Sequence, residues 1–324
     1  MKNLSTVVLI LITVISYSQT QIVDLDTKAP VSFATVIFGN GQGLFADDEG
    51  MFVFNEKLYP GVDSLTFSAL GYSKLKIASK ELTETIFLKA EIAALDEIVL
   101  TANTNKPFKK ENIKPVLDSD YYNCWLPTIE SEIAVLFEFN DQKIRKLTTV
   151  SFPITPESVD WSKRNKPNAE KYTFSTLFKV KCYENRNGKP GKELINKNLV
   201  FIATEKDGNA YEFDVSKHNI FIPKNGIFIS LQVLGYTDKN GKLLPNKKYK
   251  EIKSNNEIIY IPTNFRPLLP FTNEIDGYRT FVRRIFIADN EWVIFKKGSG
   301  MTSSLLDKNL NNYGIGISYN TYKE

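Results

Sequence analysis

The chain has 324 residues, of which 42% are hydrophobic and 24% are charged, so its composition excludes a disordered polypeptide and allows packed cores. Its length favours two domains of ordinary size over one. The formal net charge of +4 is small, and no stripe of Lys and Arg is interleaved with aromatic residues, which argues against nucleic-acid binding.

Residues 1–18 have the pattern of a secretory signal peptide. Lys2 supplies a positive start, residues 7–15 form a short apolar run, and Ser16 and Ser18 place small residues where a signal peptidase reads them. The run is shorter than the roughly 20 residues that a transmembrane helix needs. No Cys follows it, which argues against a lipoprotein anchor. We therefore expect an exported protein, cleaved after Ser18, without a transmembrane helix.

Residues 20–88 predict short strands separated by turns. Residues 30–38 carry apolar side chains on both faces, which is typical of a strand inside a sandwich. Residues 44–56 predict a hairpin that turns at residues 47–50, because two alternating runs flank an acidic stretch and a glycine. Strands that recur every roughly 8–12 residues without a helical period predict a small β-sandwich.

Four sequence words carry a family resemblance: PVSFATVIF, DDEGMFVF, SLTFSALGY and IFLKAEIAALDEIVLTA. On these words, residues 19–102 resemble the carboxypeptidase-regulatory-like domain of Bacteroidetes envelope proteins. That domain is a transthyretin-like β-sandwich, and it resembles the extension domain of TonB-dependent receptors. The resemblance implies an accessory module without catalytic residues, and therefore no carboxypeptidase activity.

The last eight residues of this module, LDEIVLTA at 95–102, have an extended apolar centre. Such a segment suits a terminal strand at a sheet edge, and we favour that interpretation. The same property would let it bind a partner by strand addition, so a docking box is the alternative.

Residues 103–125 contain prolines, a Lys cluster and little periodicity, which predicts a linker or a wrapping segment. Residues 126–324 return to alternating strands, with a hairpin predicted around the turn at residues 223–226. These strands fit a two-sheet sandwich with jelly-roll-like wiring. The predicted fold class is therefore all-β, with a small transthyretin-like β-sandwich followed by a larger jelly-roll-like β-sandwich.

Cys124 and Cys182 are the two cysteines of the chain. In an exported protein they can pair, and closing that loop stabilises by roughly 4 kcal/mol in the chain-entropy model. Burial is the alternative, since Cys182 shares a strand face with Phe178 and Val180. Two Cys and one His cannot form a zinc site alone, and we predict neither a metal nor a cofactor.

The candidate acids have structural explanations. The run at residues 47–49 does not match a calcium-binding loop and suits a tight turn. Glu130, Glu132 and Glu138 fall on one face of a predicted strand whose other face is apolar, which indicates a solvated face. No G-x-S-x-G word accompanies His218, the single histidine. We predict no catalytic residue.

The candidate binding residues are Trp161, Trp125 and Trp292. Aromatic rings offer apolar faces that can stack on sugars. Trp161 lies in a polar loop without an apolar period, so we expect it to be exposed. Core packing is the alternative for at least two of the three.

Two functions from different classes fit these observations. The first is a non-enzymatic cell-envelope protein, in the periplasm, at the outer membrane or secreted, that binds a glycan or an envelope protein. Its features are the signal peptide and the strand pattern. The second is a hydrolase acting on polysaccharide, which needs acids that converge in a cleft. A TonB-linked component is a third, weaker alternative.

Overall fold

The computed structural model describes residues 19–39, 41–57, 59–91, 106–164, 166, 168–245, 249–254, 257–287 and 291–323. The predicted signal peptide and the segment at residues 95–102 lie outside this part of the chain. The described residues are almost entirely strands and loops, with one short α-helix, α1 (Ser304–Asp307), and several 3-10 turns. Among them, no helix has the length and apolarity to cross a bilayer. The all-β fold class is confirmed.

The smaller sandwich spans residues 19–91 and consists of two sheets. Its strands are β1 (Gln19–Asp24), β2 (Thr35–Gly39), β3 (Gln42–Phe45), β4 (Met51–Val53), β5 (Ser64–Ser68), β6 (Leu75–Ala78) and β7 (Thr85–Leu88). One sheet has the order β4-β1-β7, with β1 and β7 parallel, and the other has the antiparallel order β3-β2-β5-β6. Ile22, Phe52, Leu65, Phe67 and Leu88 pack in the core between them.

The predicted hairpin at residues 44–56 is wrong in its pairing, although its turn forms. The Asp47 carboxylate accepts backbone N–H bonds from Glu49 and Met51 at 3.0 and 2.7 Å, and Gly50 has a positive φ of 71°. However, β3 pairs with β2 while β4 pairs with β1, so the chain crosses from one sheet to the other at this turn. Crossing allows both strands to bury one face in the shared core.

The larger sandwich spans residues 106–323. Its strands are β8 (Phe108–Ile113), β9 (Cys124–Trp125), β10 (Ser131–Phe137), β11 (Arg145–Pro153), β12 (Ser175–Arg186), β13 (Lys189–Glu193), β14 (Leu199–Thr204), β15 (Ala210–Asp214), β16 (Phe221–Ile222), β17 (Ile227–Tyr236), β18 (Tyr249–Ser254), β19 (Glu257–Pro262), β20 (Leu269–Thr272), β21 (Thr280–Arg284), β22 (Val293–Ile294), β23 (Asn312–Tyr313) and β24 (Gly316–Tyr322).

Two antiparallel sheets form the body of this sandwich. One has the order β13-β12-β17-β10-β21-β22, with β14 also on β12, and the other has the order β15-β11-β24-β8, with β16 also on β11. Phe178 of β12, Phe201 of β14 and Phe152 of β11 stack with ring centroids 5.3 Å apart at each step. This aromatic column joins the two sheets through the core.

Three further expectations are modified by the structure. Residues 108–113 form β8 and pair with β24, so this part of the predicted linker is an edge strand of the larger sandwich. The turn at residues 223–226 forms, but β16 pairs with β11 and β17 with β10 and β12, so the predicted hairpin is again split between sheets. Cys124 and Cys182 are both free and buried in separate clusters, so they do not form a disulfide here.

The two sandwiches pack closely against each other. Phe45 of β3 belongs to the core of the larger sandwich, where its ring centroid lies 5.3 Å from that of Phe286. The Tyr249 hydroxyl accepts a hydrogen bond from the Gly43 N–H at 2.7 Å and donates one to its carbonyl at 3.1 Å. A Cβ on Gly43 would lie 2.5 Å from the Phe286 ring, so this approach requires glycine.

This packing explains why residues 30–38 are apolar on both faces. Val36 and Phe38 point into the core of the smaller sandwich, whereas Ile37 packs against the core of the larger one. The second apolar face of β2 therefore belongs to the contact between the sandwiches.

Candidate functional site

A cleft of about 730 Å³ remains open between the two sandwiches. One wall is the outward face of β2, β5 and the β6 region of the smaller sandwich. The other is the outward face of the large sheet that contains β12, β17 and β21. Most of the ionic groups that line it lie on the second wall, together with one amide: Lys179, Lys181, Glu193, Gln232, Arg283 and Arg284. The volume falls in the range of small-molecule binding sites.

Strand alternation places these polar side chains. On β12, Phe178, Val180 and Cys182 enter the core, so Lys179 and Lys181 point to the opposite face. The strand register then aligns a row across the sheet: Arg283 lies opposite Glu132, Glu132 opposite Gln232, and Gln232 opposite Lys179. An outward face that would be solvated in a single sandwich is covered here by the second one.

Glu132 forms a buried ionic cluster beneath the cleft. Its side chain is 0% exposed, and Arg283 Nη2 lies 2.6 Å from its Oε2. The hydroxyls of Tyr183 and Ser230 donate to its Oε1 at 2.7 and 2.5 Å. Burial alone would raise the pKa of Glu132, but the nearby cations and these hydrogen bonds outweigh it and lower the pKa to about 2. The Glu132 carboxylate is therefore fixed in its charged form.

This finding corrects the solvated face expected for the three glutamates. Glu132 is fully buried, and Glu130 forms an ion pair with Arg284 at 2.5 Å. Glu138 is exposed, as expected. The same alternation places all three on one face, but the side chains that pack over that face differ along the strand.

Lys179 and Gln232 differ from Glu132 because no described group holds them in a hydrogen bond or a close ion pair. They are 8% and 2% exposed and face each other across β12 and β17. Within the described residues, neither side chain makes a hydrogen bond or an ion pair. Burial, with the neighbouring charge of Lys181, outweighs the attraction of Glu193 and Glu132 and lowers the pKa of Lys179 to about 7. The cleft floor thus holds an ammonium and an amide that bond to no described protein group and are accessible from the cleft.

The charge of the cleft is positive. Six cationic residues line it: Lys74, Lys76, Lys179, Lys181, Arg283 and Arg284. Glu193 is the acid among its described lining residues, and it lies 3.8 Å from Lys181. Glu130 and Glu132 pair with the two arginines from beneath. A concave site with this imbalance attracts anions.

The structure does not bring the three predicted tryptophans together. Trp125 is half-buried and stacks on Phe271 with ring centroids 5.7 Å apart. Its indole Nε1 is buried and has no hydrogen-bond partner in the described part of the chain. This tryptophan is an aromatic anchor at the edge of the larger core, and its proposed role in stacking on a ligand has no support from its surroundings.

Trp161 and Trp292 occupy two other places. Trp161 is 41% exposed, and its ring centroid lies 5.1 Å from that of Tyr121 and 5.3 Å from that of Tyr122. Trp292 is half-buried against Tyr183, and the Arg283 guanidinium lies 4.4 Å from its ring centroid. Trp292 therefore touches the ionic cluster from the side, while Trp161 is on a separate surface.

Sequence reasoning missed Lys179 and Gln232. The available signal was a pair of lysines alternating with core residues in the long strand β12. Alternation cannot distinguish a lysine that faces water from one that faces another domain, and Gln232 lies in an otherwise apolar strand without any local motif.

Comparison with known proteins gives little further information. No family model matches the chain, and no curated protein matches it. One similar solved structure is the clostridial cysteine protease Cwp84 after propeptide cleavage, at 13% identity and a TM-score of 0.33 over 65% of this chain and 40% of that one. Another contains the cysteine protease and lectin-like domains of Cwp84, a surface layer associated protein of Clostridium difficile, at 10% identity and a TM-score of 0.31 over 89% and 58%. The chain spans about two fifths to three fifths of these proteins, and we draw nothing from either likeness.

Proposed function

We propose that this chain is an exported, non-enzymatic protein of the bacterial cell envelope that binds a glycan or protein ligand in the cleft between its two sandwiches. The observation that carries the proposal is the buried pair Lys179 and Gln232, which faces the cleft without a hydrogen-bond or close ion-pair partner among the described residues. Burying an ammonium without such a partner is unfavourable, and an anionic ligand that fills the cleft would compensate for it.

The exported and envelope parts of the proposal rest on the leader pattern at residues 1–18 and on the resemblance of residues 19–102 to an accessory domain of envelope proteins. In that family the module has no catalytic role. Here its outward face forms one wall of the cleft, which gives an accessory domain a direct part in the ligand site.

A polysaccharide hydrolase is the second candidate, favoured by one specific observation. Two carboxylates near the cleft have pKa values moved in opposite directions: burial raises the pKa of Glu193, whereas that of Glu132 is lowered. Acid and base pairs of hydrolases are arranged in this way. However, Glu132 is fully buried and its oxygens already accept bonds from three side chains, so it does not reach a substrate. Binding is therefore the better-supported function.

A TonB-linked component remains the third alternative. Its motif, residues 95–102, lies outside the described residues, and the cleft neither favours nor opposes it.

The proposed function is tested by blocking the cleft. Thr66 on β5 points into the cavity and away from its own core, so Thr66→Trp fills the cleft without disturbing the packing of the smaller sandwich. The mature protein and this variant are applied to an array of neutral and acidic glycans. Lys217→Met, which changes an exposed lysine outside the cleft lining, is the matched control.

We expect at least one glycan to bind the parent protein and the control, and to be lost from Thr66→Trp. If no glycan binds, or if the blocked variant binds as well as the parent, the cleft is not a glycan site. Release of reducing ends from any bound polysaccharide by the parent would overturn the non-enzymatic assignment in favour of the hydrolase.

A further inference from the structure

We infer that the floor of the cleft is a carboxylate-binding subsite built by Lys179 and Gln232, and that its ligand is a saccharide carrying a uronic acid. This inference rests on the proposed function and specifies the ligand class of the same site.

The carboxylate follows from the two unsatisfied side chains. Directly opposed residues of an antiparallel pair have Cβ atoms about 5 Å apart, so the Lys179 ammonium and the Gln232 amide can reach one small planar group together. An ammonium provides donors alone, and a Gln side chain offers an NH₂ donor. A carboxylate has two oxygens that accept, one for each partner, and charge-assisted hydrogen bonds of this kind are the strong ones.

The neighbouring cations are less available. Arg283 is bound to Glu132 through both its Nε and Nη2 atoms, at 2.9 and 2.6 Å, and Lys181 lies 3.8 Å from Glu193. These pairs neutralise the acids that would repel an incoming carboxylate. They leave Lys179 as the buried cation on the cleft floor that no described carboxylate holds in a close ion pair, although Glu193 and Glu132 attract it from farther away.

The saccharide follows from the opposite wall. Thr35 on β2 and Ser64, Thr66 and Ser68 on β5 line the cleft with four hydroxyl side chains. Thr35 lies opposite Ser68 in the register, and residues 64, 66 and 68 share one strand face. None of the four hydroxyls has a hydrogen-bond partner in the described part of the chain. A half-buried row of free hydroxyls that both donate and accept matches the hydroxyl groups of a sugar.

Apolar surface completes the match. Ile37 is half-buried and Ile287 is exposed, and both line the cleft, so apolar surface is available to the C–H faces of a pyranose ring. A short acidic peptide would use the cations but would leave the hydroxyl wall unsatisfied, so the saccharide is favoured over it.

The experiment is a calorimetric titration of the mature protein with defined probes. The first probe is an oligogalacturonate, the second is its carboxyl-reduced neutral counterpart, and the third is an oligoglutamate peptide of similar charge. Acetate and inorganic sulfate serve as small-anion probes. The variants are Lys179→Met, Gln232→Leu and Ser68→Ala, with Lys217→Met as the control outside the cleft.

We expect the parent to bind the oligogalacturonate. The neutral counterpart should bind the parent about tenfold or more weakly, and Lys179→Met should bind the oligogalacturonate about tenfold or more weakly, because each change removes a charge-assisted hydrogen bond. Gln232→Leu and Ser68→Ala should weaken this binding by smaller factors, and the control should leave it unchanged. Folding of each variant is checked by its thermal transition, and a retained transition shows that a loss of binding is local.

Other outcomes overturn the inference in distinguishable ways. Equal binding of the acidic and neutral oligosaccharides removes the carboxylate subsite and leaves the cleft as a glycan site. Tighter binding of oligoglutamate, or binding of acetate or sulfate as strong as that of the oligosaccharide, removes the saccharide assignment. Absence of binding by every probe and by the glycan array removes both the inference and the proposed function.

Discussion

Replacing Lys179 by methionine should stabilise the protein, because burial of the lysine outweighs the attraction of the nearby Glu193 and Glu132. The side chain is 8% exposed, and its pKa is lowered from 10.5 to about 7, first by burial and then by the charge of Lys181. One pKa unit corresponds to about 1.4 kcal/mol, so the full shift corresponds to at most about 5 kcal/mol of destabilisation. Exchanging a buried ion for an apolar group of similar volume stabilises proteins by about 1–4 kcal/mol, and we expect Lys179→Met to fall in that range.

The stability difference between the parent and Lys179→Met should depend on pH. Below about pH 7 Lys179 is charged in both the folded and unfolded states, so the whole penalty is present. Between about pH 7 and 10.5 the unfolded chain keeps a proton that the folded protein has released, and the parent protein therefore gains stability as the pH rises. The advantage of Lys179→Met should be largest below about pH 7, decrease as the pH rises through this window, and disappear above about pH 10.5.

Urea denaturation of the parent, Lys179→Met and Lys217→Met at pH values across this window measures the effect. The control lysine is exposed, so its variant should stay within about 0.5 kcal/mol of the parent. A Lys179→Met protein that is less stable than the parent by more than about 1 kcal/mol, with a difference independent of pH, would refute the reasoning. Such a result would mean that the ammonium has a stabilising partner.

Three further predictions concern the ionic cluster, the sandwich contact and the thiols. Glu132→Gln leaves Arg283 buried without its partner and should lower the free energy of unfolding by about 3–5 kcal/mol at neutral pH. Because the pKa of Glu132 is lowered to about 2, this difference should shrink in urea titrations as the pH falls from about 5 towards 2. Gly43→Ala places a Cβ 2.5 Å from the Phe286 ring across the contact and should lower the temperature of the thermal transition. An unchanged transition temperature would show that the sandwiches separate freely. Cys124 and Cys182 should both react with a disulfide reagent in urea. In buffer neither should react, because both thiols are buried and burial raises the pKa of each. Reaction of one thiol or none in urea would contradict the free state.

The strands and turns of this protein are largely predictable from the sequence, but the pairing of strands is not. At residues 47–50 and 223–226 the turn residues and the flanking strands are where the pattern places them. In both cases the chain crosses between sheets, so the two strands have different partners. Turn chemistry is local, whereas the choice between folding back and crossing over depends on which core buries each strand.

The candidate site could not be predicted because it depends on contact between distant parts of the chain. Glu132 and Glu138 have the same alternation with apolar neighbours, yet one is fully buried and the other is exposed. Glu132 is covered by Tyr183, Ser230 and Arg283, which come from strands distant in sequence, and alternation along β10 does not show this cover. The two-sided apolarity of residues 30–38 reflects the contact between the sandwiches, and a sequence pattern does not distinguish this contact from the inside of one sandwich.

The contact between the sandwiches also indicates why the cleft is retained. Around Phe45, Phe286 and Gly43 the two sandwiches pack so closely that one added carbon atom would clash. The same two surfaces can therefore pack without a cavity. Beside this dry contact lies a cavity of about 730 Å³ whose floor holds a lysine that lowers stability. Filling the cavity with apolar side chains would be favourable for folding alone, since voids and unpaired buried charges both destabilise. Features that a protein keeps against its own stability are concentrated at sites of function. If Lys179→Met is both more stable and unable to bind an acidic saccharide, stability and binding are opposed at this one side chain, and the cleft is explained by its ligand.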